Sequence, residues 1–319
     1  MPFERIETNG ITLRAMVEGD GPLVVLVHGF PETWYSWRHQ IPALTAAGFR
    51  VAVPDMRGYG GSDRPMPVEA YDMETMTADL AGLARALSDE PAIIIGHDWG
   101  APLAWNAARL HPDTFRAVAG LSVPYTAPGD QAPIDLFRKL FTDKGRFFYQ
   151  VYFQDEGVAE AELEADPEDS LIKFYSAWSG EVGPGGWPTD KPHGAGVLEG
   201  IARPEMPLSW LTQEDLDTYT ADFERSGFRG PLNRYRNSRR DHAFLKAHPS
   251  NPVIQQPSLF IGGDRDPVLT MFRGDTAEIL SRGLADLRGC HTLPGVGHWT
   301  QQEAPEAVNR LLIDWLATL

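Results

Sequence analysis

Apolar residues along the first third of the chain recur in two rhythms that take turns. PLVVLVHGF (22–30), RVAVPD (50–55), AIIIG (92–96) and AVAGLSV (117–123) are short, nearly unbroken apolar runs, the pattern of strands buried on both faces. Between them, SWRHQIPALTAAG and ETMTADLAGLARAL space their apolar residues three and four apart, as an amphipathic helix requires. Strands and helices alternating at these lengths predict a mostly parallel α/β sheet. Ahead of them, ERIET and ITLRAMVE flank Asn9-Gly10, a favoured two-residue hairpin turn.

From residue 127 to 250 the rhythm changes to aromatic-rich helical pieces separated by Gly/Pro loops, among them EVGPGGWPTDKPHGAG (181–196). The strand pattern resumes in PSLFIGGD (257–264) and LRGCHTLPG (287–295), and the chain closes on a helix, EAPEAVNRLLIDWLATL. The expected division is therefore a core built from residues 1–126 and 251–319, carrying a helical cap, or lid, at 127–250. There is no internal repeat and no low-complexity linker.

Composition narrows the function classes. With 319 residues, 42% hydrophobic and 23% charged, the chain has enough apolar surface for a sizeable core. Its formal charge of −16, concentrated in AEAELEADPED (159–169), repels phosphate backbones and anionic lipids, so neither nucleic acid nor an anionic membrane is an expected partner. The single cysteine, Cys290, leaves no intramolecular disulfide, and no Cys/His cluster has metal-ligand spacing. MPFERIETNG lacks the basic start and apolar centre of a signal peptide, and no apolar run reaches the length of a membrane span. The expectation is a soluble cytoplasmic protein without metal or cofactor; oligomeric state is left open.

The chemistry centres on GHDWG (96–100), which follows PAIII and precedes the helix-like APLAWNAARL. A strand, a glycine-flanked turn and a helix form the setting in which hydrolases raise a nucleophile, usually serine, above a sheet. Here that position is Asp98. An Asp after a strand also serves as a helix N-cap, so the motif alone does not decide. Two distant loops add weight: GGDRDPV places Asp264 and Asp266 past one strand, and PGVGHWTQ places His298 past the next. Nucleophile, acid and histidine in that chain order are the arrangement of α/β-hydrolases, and strand-end loops on one edge of a parallel sheet converge. HGFP (28–31) follows the first long buried strand, where this fold supplies one oxyanion-hole N–H. Phe30 would supply it and Trp99 the second.

HGFPETWYSWRHQIPAL, DMRGYGGSD, IGHDWGAPLAW, YQVYFQDEGVAEAELE, LNRYRN, GGDRDPV and GHWTQ together resemble the α/β-hydrolase-fold epoxide hydrolases, in particular the hydrolase domain of the soluble ones, over nearly the whole chain. The resemblance implies an α/β-hydrolase core with a helical cap and a small apolar epoxide as substrate, converted with water to a vicinal diol. It implies Asp98 as nucleophile, forming a hydroxyalkyl ester; Asp266 as the third acid; and His298 as general base. It also implies two oxirane-binding tyrosines on the cap, Tyr149 and Tyr235. Tyr152 competes with Tyr149, since a one-turn slip exchanges them. His28, Pro31, Trp34, His97 and Tyr152 are assigned to the pocket lining. Two other readings stand beside this one. A haloalkane or haloacid dehalogenase shares the fold and the aspartate nucleophile, with the Trp99 indole as a halide donor, but usually carries Asn or Glu at the place of Phe30, or arginines at that of Trp99. A non-catalytic binding protein on the same fold is the third.

Overall fold

The computed structural model describes residues 3–248, 252–272 and 274–319. The expected cap–core boundary at 250/251, and the first two residues of the core segment, lie outside these. Eight strands form one sheet in the order β1-β2-β4-β3-β5-β6-β7-β8. They are β1 (Phe3–Thr8), β2 (Ile11–Glu18), β3 (Leu23–Val27), β4 (Arg50–Pro54), β5 (Ala92–His97), β6 (Phe115–Leu121), β7 (Ile254–Gly263) and β8 (Leu284–Leu293). The β1–β2 and β2–β4 pairs are antiparallel and the other pairs parallel. Asn9 and Gly10, with φ of 46° and 77°, close the first hairpin, as a turn needing two left-handed residues demands.

Side chains alternate across the central strands. Val25, Val27 and Ile94 face a core completed by α2 (Met73–Leu87) and α3 (Gly100–Leu110). Val24, Leu26, Ile93 and Ile95 face a second core, against α1 (Gln40–Ala46) and α13 (Pro305–Leu316). Burial on both faces is why these strands read as unbroken apolar runs.

Two helices are shorter than their patterns suggest. SWRHQIPALTAAG divides into a 3-10 turn at Trp34–Trp37 and α1, whose third residue, Pro42, has no N–H to donate and so tolerates only a first-turn place. The C-terminal helix divides into α12 (Thr300–Glu303) and α13, with Pro305 opening the latter.

The described residues between β6 and β7 contain no strand, only two isolated bridges. They carry α4 (Pro133–Leu140), α5 (Tyr149–Tyr152), α6 (Val158–Leu163), α7 (Pro167–Ala177), α8 (Gln213–Ser226), α9 (Arg229–Arg236) and α10 (Ser238–Ala247). These pack over the β3 and β5 ends: Tyr175 donates to the Pro31 carbonyl (2.7 Å), and Asp215 accepts from Tyr35 (2.9 Å) and pairs with Arg38 (3.1 Å). After β7, α11 (Thr276–Ser281) leads into β8.

Candidate active site

Asp98 follows β5 in the left-handed region, at φ 49°, a conformation that Asp tolerates better than most residues. The turn closes because its flanks have no Cβ: one on Gly96 would lie 2.0 Å from the Gly100 carbonyl oxygen, and one on Gly100 would lie 2.1 Å from that of Val27. Strand, turn and helix thus meet backbone to backbone and drive the carboxylate upward. Gly29 packs on that carboxylate from the β3 side, where a Cβ would fall 2.4 Å from Asp98 Oδ1.

The Phe30 N–H donates to Asp98 Oδ1 at 2.7 Å. Trp99, at the head of α3, sets its own N–H at the start of that helix. His298, past β8, is completely buried. Its Nδ1 lies 3.0 and 3.1 Å from the two Asp266 oxygens, and its Nε2 is 3.3 Å from Asp98 Oδ2, an ion-pair contact without hydrogen-bond alignment. Asp266 is itself fixed by the Val268 N–H at 2.8 Å. Its neighbour Asp264 turns to the surface and accepts from the Gly295 N–H, so only one acid of GGDRD reaches the histidine. Burial disfavours charge on His298, but Asp266 and then Asp98 outweigh it and push its pKa up to about 10.

Tyr149 and Asp98 line one cavity of about 430 Å³. Tyr235 and Trp99 line an adjoining one of about 290 Å³. The Tyr235 ring stands edge-on to Phe30 (5.5 Å), Trp99 (5.1 Å) and Tyr149 (6.1 Å). Burial, then the Asp98 charge, raises the Tyr235 phenol well above its usual range; burial raises Tyr149 as well, against a lowering hydrogen bond from Gln150. Both stay protonated donors at neutral pH.

The expected pocket lining is corrected, since none of its five residues is among those lining the two cavities. Trp34 packs on Phe3 and the second core, on the far face of the sheet. His28 is buried, accepting from the Met56 N–H at 3.0 Å. Pro31 presents its carbonyl to Tyr175. Tyr152 donates to Glu162 (2.6 Å) and opens on a separate cavity of about 500 Å³ that does not contain Asp98. The walls are instead formed by residues far apart in the sequence, such as Leu136, Val268, Met271 and Phe272.

His97 does not reach the cavity because it belongs to a buried network absent from the sequence reading. Its Nδ1 meets Glu32 at 2.7 Å and its Nε2 meets the His298 carbonyl at 2.7 Å. Glu32 also accepts from the Gly29 N–H (3.0 Å), Gln301 (3.0 Å) and Gln302 (3.1 Å). Burial opposes its charge, but His97 and the Gly29 N–H hold its pKa down to about 2. The network joins the loops of Phe30, Asp98 and His298. Its one signal in the sequence is an acid set among the apolar and aromatic residues of HGFPETWYSW. Among the described residues, no group of three or more His, Cys, Asp or Glu could hold a metal ion, and no helix is long and apolar enough to cross a membrane.

The family model described as the alpha/beta hydrolase fold matches residues 22–305. The chain is 43% identical to epoxide hydrolase A of Mycobacterium tuberculosis, over 100% of this chain and 98% of that one. It is 38% identical to the bifunctional epoxide hydrolase 2 of Rattus norvegicus, over 97% of this chain and 54% of that longer protein. A solved epoxide hydrolase from an endophytic Streptomyces superposes with a TM-score of 0.94 at 45% identity, covering 99% of this chain and 95% of the other.

Proposed function

The chain belongs to the epoxide hydrolases of the α/β-hydrolase fold, and we propose that it works through a covalent ester on Asp98. One observation carries this reading: His298 sits between Asp266 at 3.0 Å and Asp98 at 3.3 Å, while the Phe30 N–H holds the other Asp98 oxygen at 2.7 Å.

An epoxide presents an sp³ carbon and a poor leaving oxygen, so the enzyme must push on carbon and pull on oxygen. Asp98 Oδ1 is already held, leaving Oδ2 to attack the ring carbon and form a hydroxyalkyl ester. The C–O bond that breaks leaves its electrons on the ring oxygen, which takes a proton from Tyr149 or Tyr235. Ester formation removes the Asp98 charge, one of the two that hold the proton on His298. His298 therefore becomes more acidic, returns a proton to the tyrosinate, and is left neutral as a base. Oriented by Asp266, it removes a proton from water as that water attacks the ester carbonyl carbon. The developing oxyanion falls on Oδ1, toward the N–H groups of Phe30 and Trp99. Collapse releases the diol, restores the Asp98 carboxylate and leaves His298 protonated, as at the start. The helical segment at 127–250 acts as the cap that carries the tyrosines and keeps bulk water out.

His298→Gln tests the assignment. It should open the ring but not hydrolyse the ester, so intact mass after incubation with epoxide should rise by one substrate mass. A folded variant that binds substrate and gains no mass would contradict the assignment.

A further inference from the structure

The loop that carries His298, between β8 and α12, lies outside every strand and helix. Glycines let it press backbone to backbone on the segment that follows α7: a Cβ on Gly297 would fall 2.1 Å from the Gly180 nitrogen, and one on Gly180 would fall 2.3 Å from the Gly295 carbonyl oxygen. The His298 N–H donates across this seam to the Trp178 carbonyl at 2.9 Å. The Trp178 ring stands edge-on to the His298 imidazole at 4.9 Å and to Tyr149 at 5.5 Å.

Glu303, the last residue of α12, gathers both sides of the seam on one carboxylate. Its Oε2 accepts from the Gly297 N–H (3.1 Å) and, across the seam, from the Gly180 N–H (2.8 Å) and the Ser179 hydroxyl (3.3 Å), while its Oε1 accepts from the Trp299 N–H (3.1 Å). The residues immediately before and after His298 are thus tied to a single side chain. Trp210 donates its indole N–H to Ser179 Oγ at 3.0 Å, which leaves the hydroxyl proton for Glu303. Burial raises the Glu303 pKa; the Gly180, Gly297 and Trp299 N–H groups, and then the Ser179 hydroxyl, oppose that rise, so backbone donors sustain its charge.

Glu303 is not among the residues lining either cavity at Asp98 and the tyrosines. Its influence on the chemistry runs through His298. We infer that Glu303 is a positioning residue for ester hydrolysis, its carboxylate setting the His298 loop against the 178–180 segment so that the imidazole is aligned for the attacking water. This deepens the covalent-ester reading and rests on it: ring opening is carried by Asp98 and the tyrosines, so the second step depends on Glu303 and the first does not.

The test is a single turnover on styrene oxide followed by rapid quenching and intact mass, which gives the rates of ester formation and ester decay separately. In parallel, the low-field proton resonance of the His298–Asp266 pair, identified by its loss in His298→Gln, reports the imidazole directly. Glu303→Gln replaces one acceptor oxygen by an NH2 group that faces backbone N–H donors. A misplacement of about 1 Å can cost about 10²-fold in rate, so ester decay should slow by about 10- to 100-fold, formation should change by less than about three-fold, and the resonance should shift or broaden. Glu303→Asp keeps the charge but is one methylene shorter; its decay rate should lie between those of the wild type and the Gln variant, and it carries the test if the Gln variant folds poorly. Wild-type decay in the folded variants, formation and decay falling together, or an unmoved resonance would overturn the inference. Absence of any ester in the wild type would instead strike at the covalent reading, and the resonance would still decide whether Glu303 sets His298.

Discussion

Asp98 and its partners act through single atoms, and the two tyrosines offer the sharpest contrast among them. An alkoxide needs a proton, and both phenols, held above their usual range near Asp98, keep one to give. Positioned acid catalysis is typically worth about 10²–10⁴-fold, and two donors partly cover for each other. Tyr149→Phe or Tyr235→Phe should each slow pre-steady-state ester formation, and the double variant should nearly abolish it, with the protein still folded. A double variant that opens the ring at the wild-type rate would remove both from the mechanism. Asp98 and His298 are legible in the sequence because each sits in a glycine-marked loop at a strand end. Tyr149 and Tyr152 are not separable by pattern, since α5 is four residues long. Only packing distinguishes them, one lining the cavity of Asp98 and the other bonded to Glu162.

At the scale of elements, β5, its turn and α3 form one device whose tolerance is set by the contacts of Gly96 and Gly100. A methyl on Gly96 has no flexible side chain to displace, only the Gly100 backbone at 2.0 Å. Gly96→Ala should therefore cost about 3 kcal/mol of stability, at the upper end for overpacking, and reduce activity by displacing Asp98. Gly194→Ala, whose Cβ meets nothing within 4 Å, should change stability by no more than about 0.5 kcal/mol. Thermal denaturation of the pair measures the difference; equal melting temperatures would mean that the turn is less constrained than its geometry indicates. The core strands were readable because burial on both faces removes polar residues from them. Helices from 127 onward were readable only as a class, because short pieces joined by Gly/Pro loops carry too few turns to fix their boundaries or facing.

Over the whole molecule, the loops after β3, β5 and β8 are joined by Glu32, which has no exposure and accepts from His97, the Gly29 N–H, Gln301 and Gln302. No local pattern could reveal this, because its partners lie on three separate parts of the chain. A carboxyl held down to about 2 from 4.5 contributes stability that is present above about 4.5 and lost as pH falls toward 2. Glu32→Gln removes that contribution, so the melting-temperature gap between wild type and variant should narrow steadily from pH 5 to pH 3 (values on the order of the shift itself). A constant gap would show that the Glu32 carboxyl titrates in the folded protein as it does in the unfolded chain, so that its pKa is not held down. The same loops bring Asp98, His298 and the Phe30 N–H together, and the central claim is that this assembly makes the water attack the enzyme rather than the epoxide. It is tested most directly by one turnover of excess enzyme in heavy-oxygen water, followed by mass analysis of the peptide containing Asp98 and of the diol. Covalent catalysis predicts the label in the Asp98 carboxylate and an unlabelled diol; label appearing directly in the diol, with none in the peptide, would contradict it.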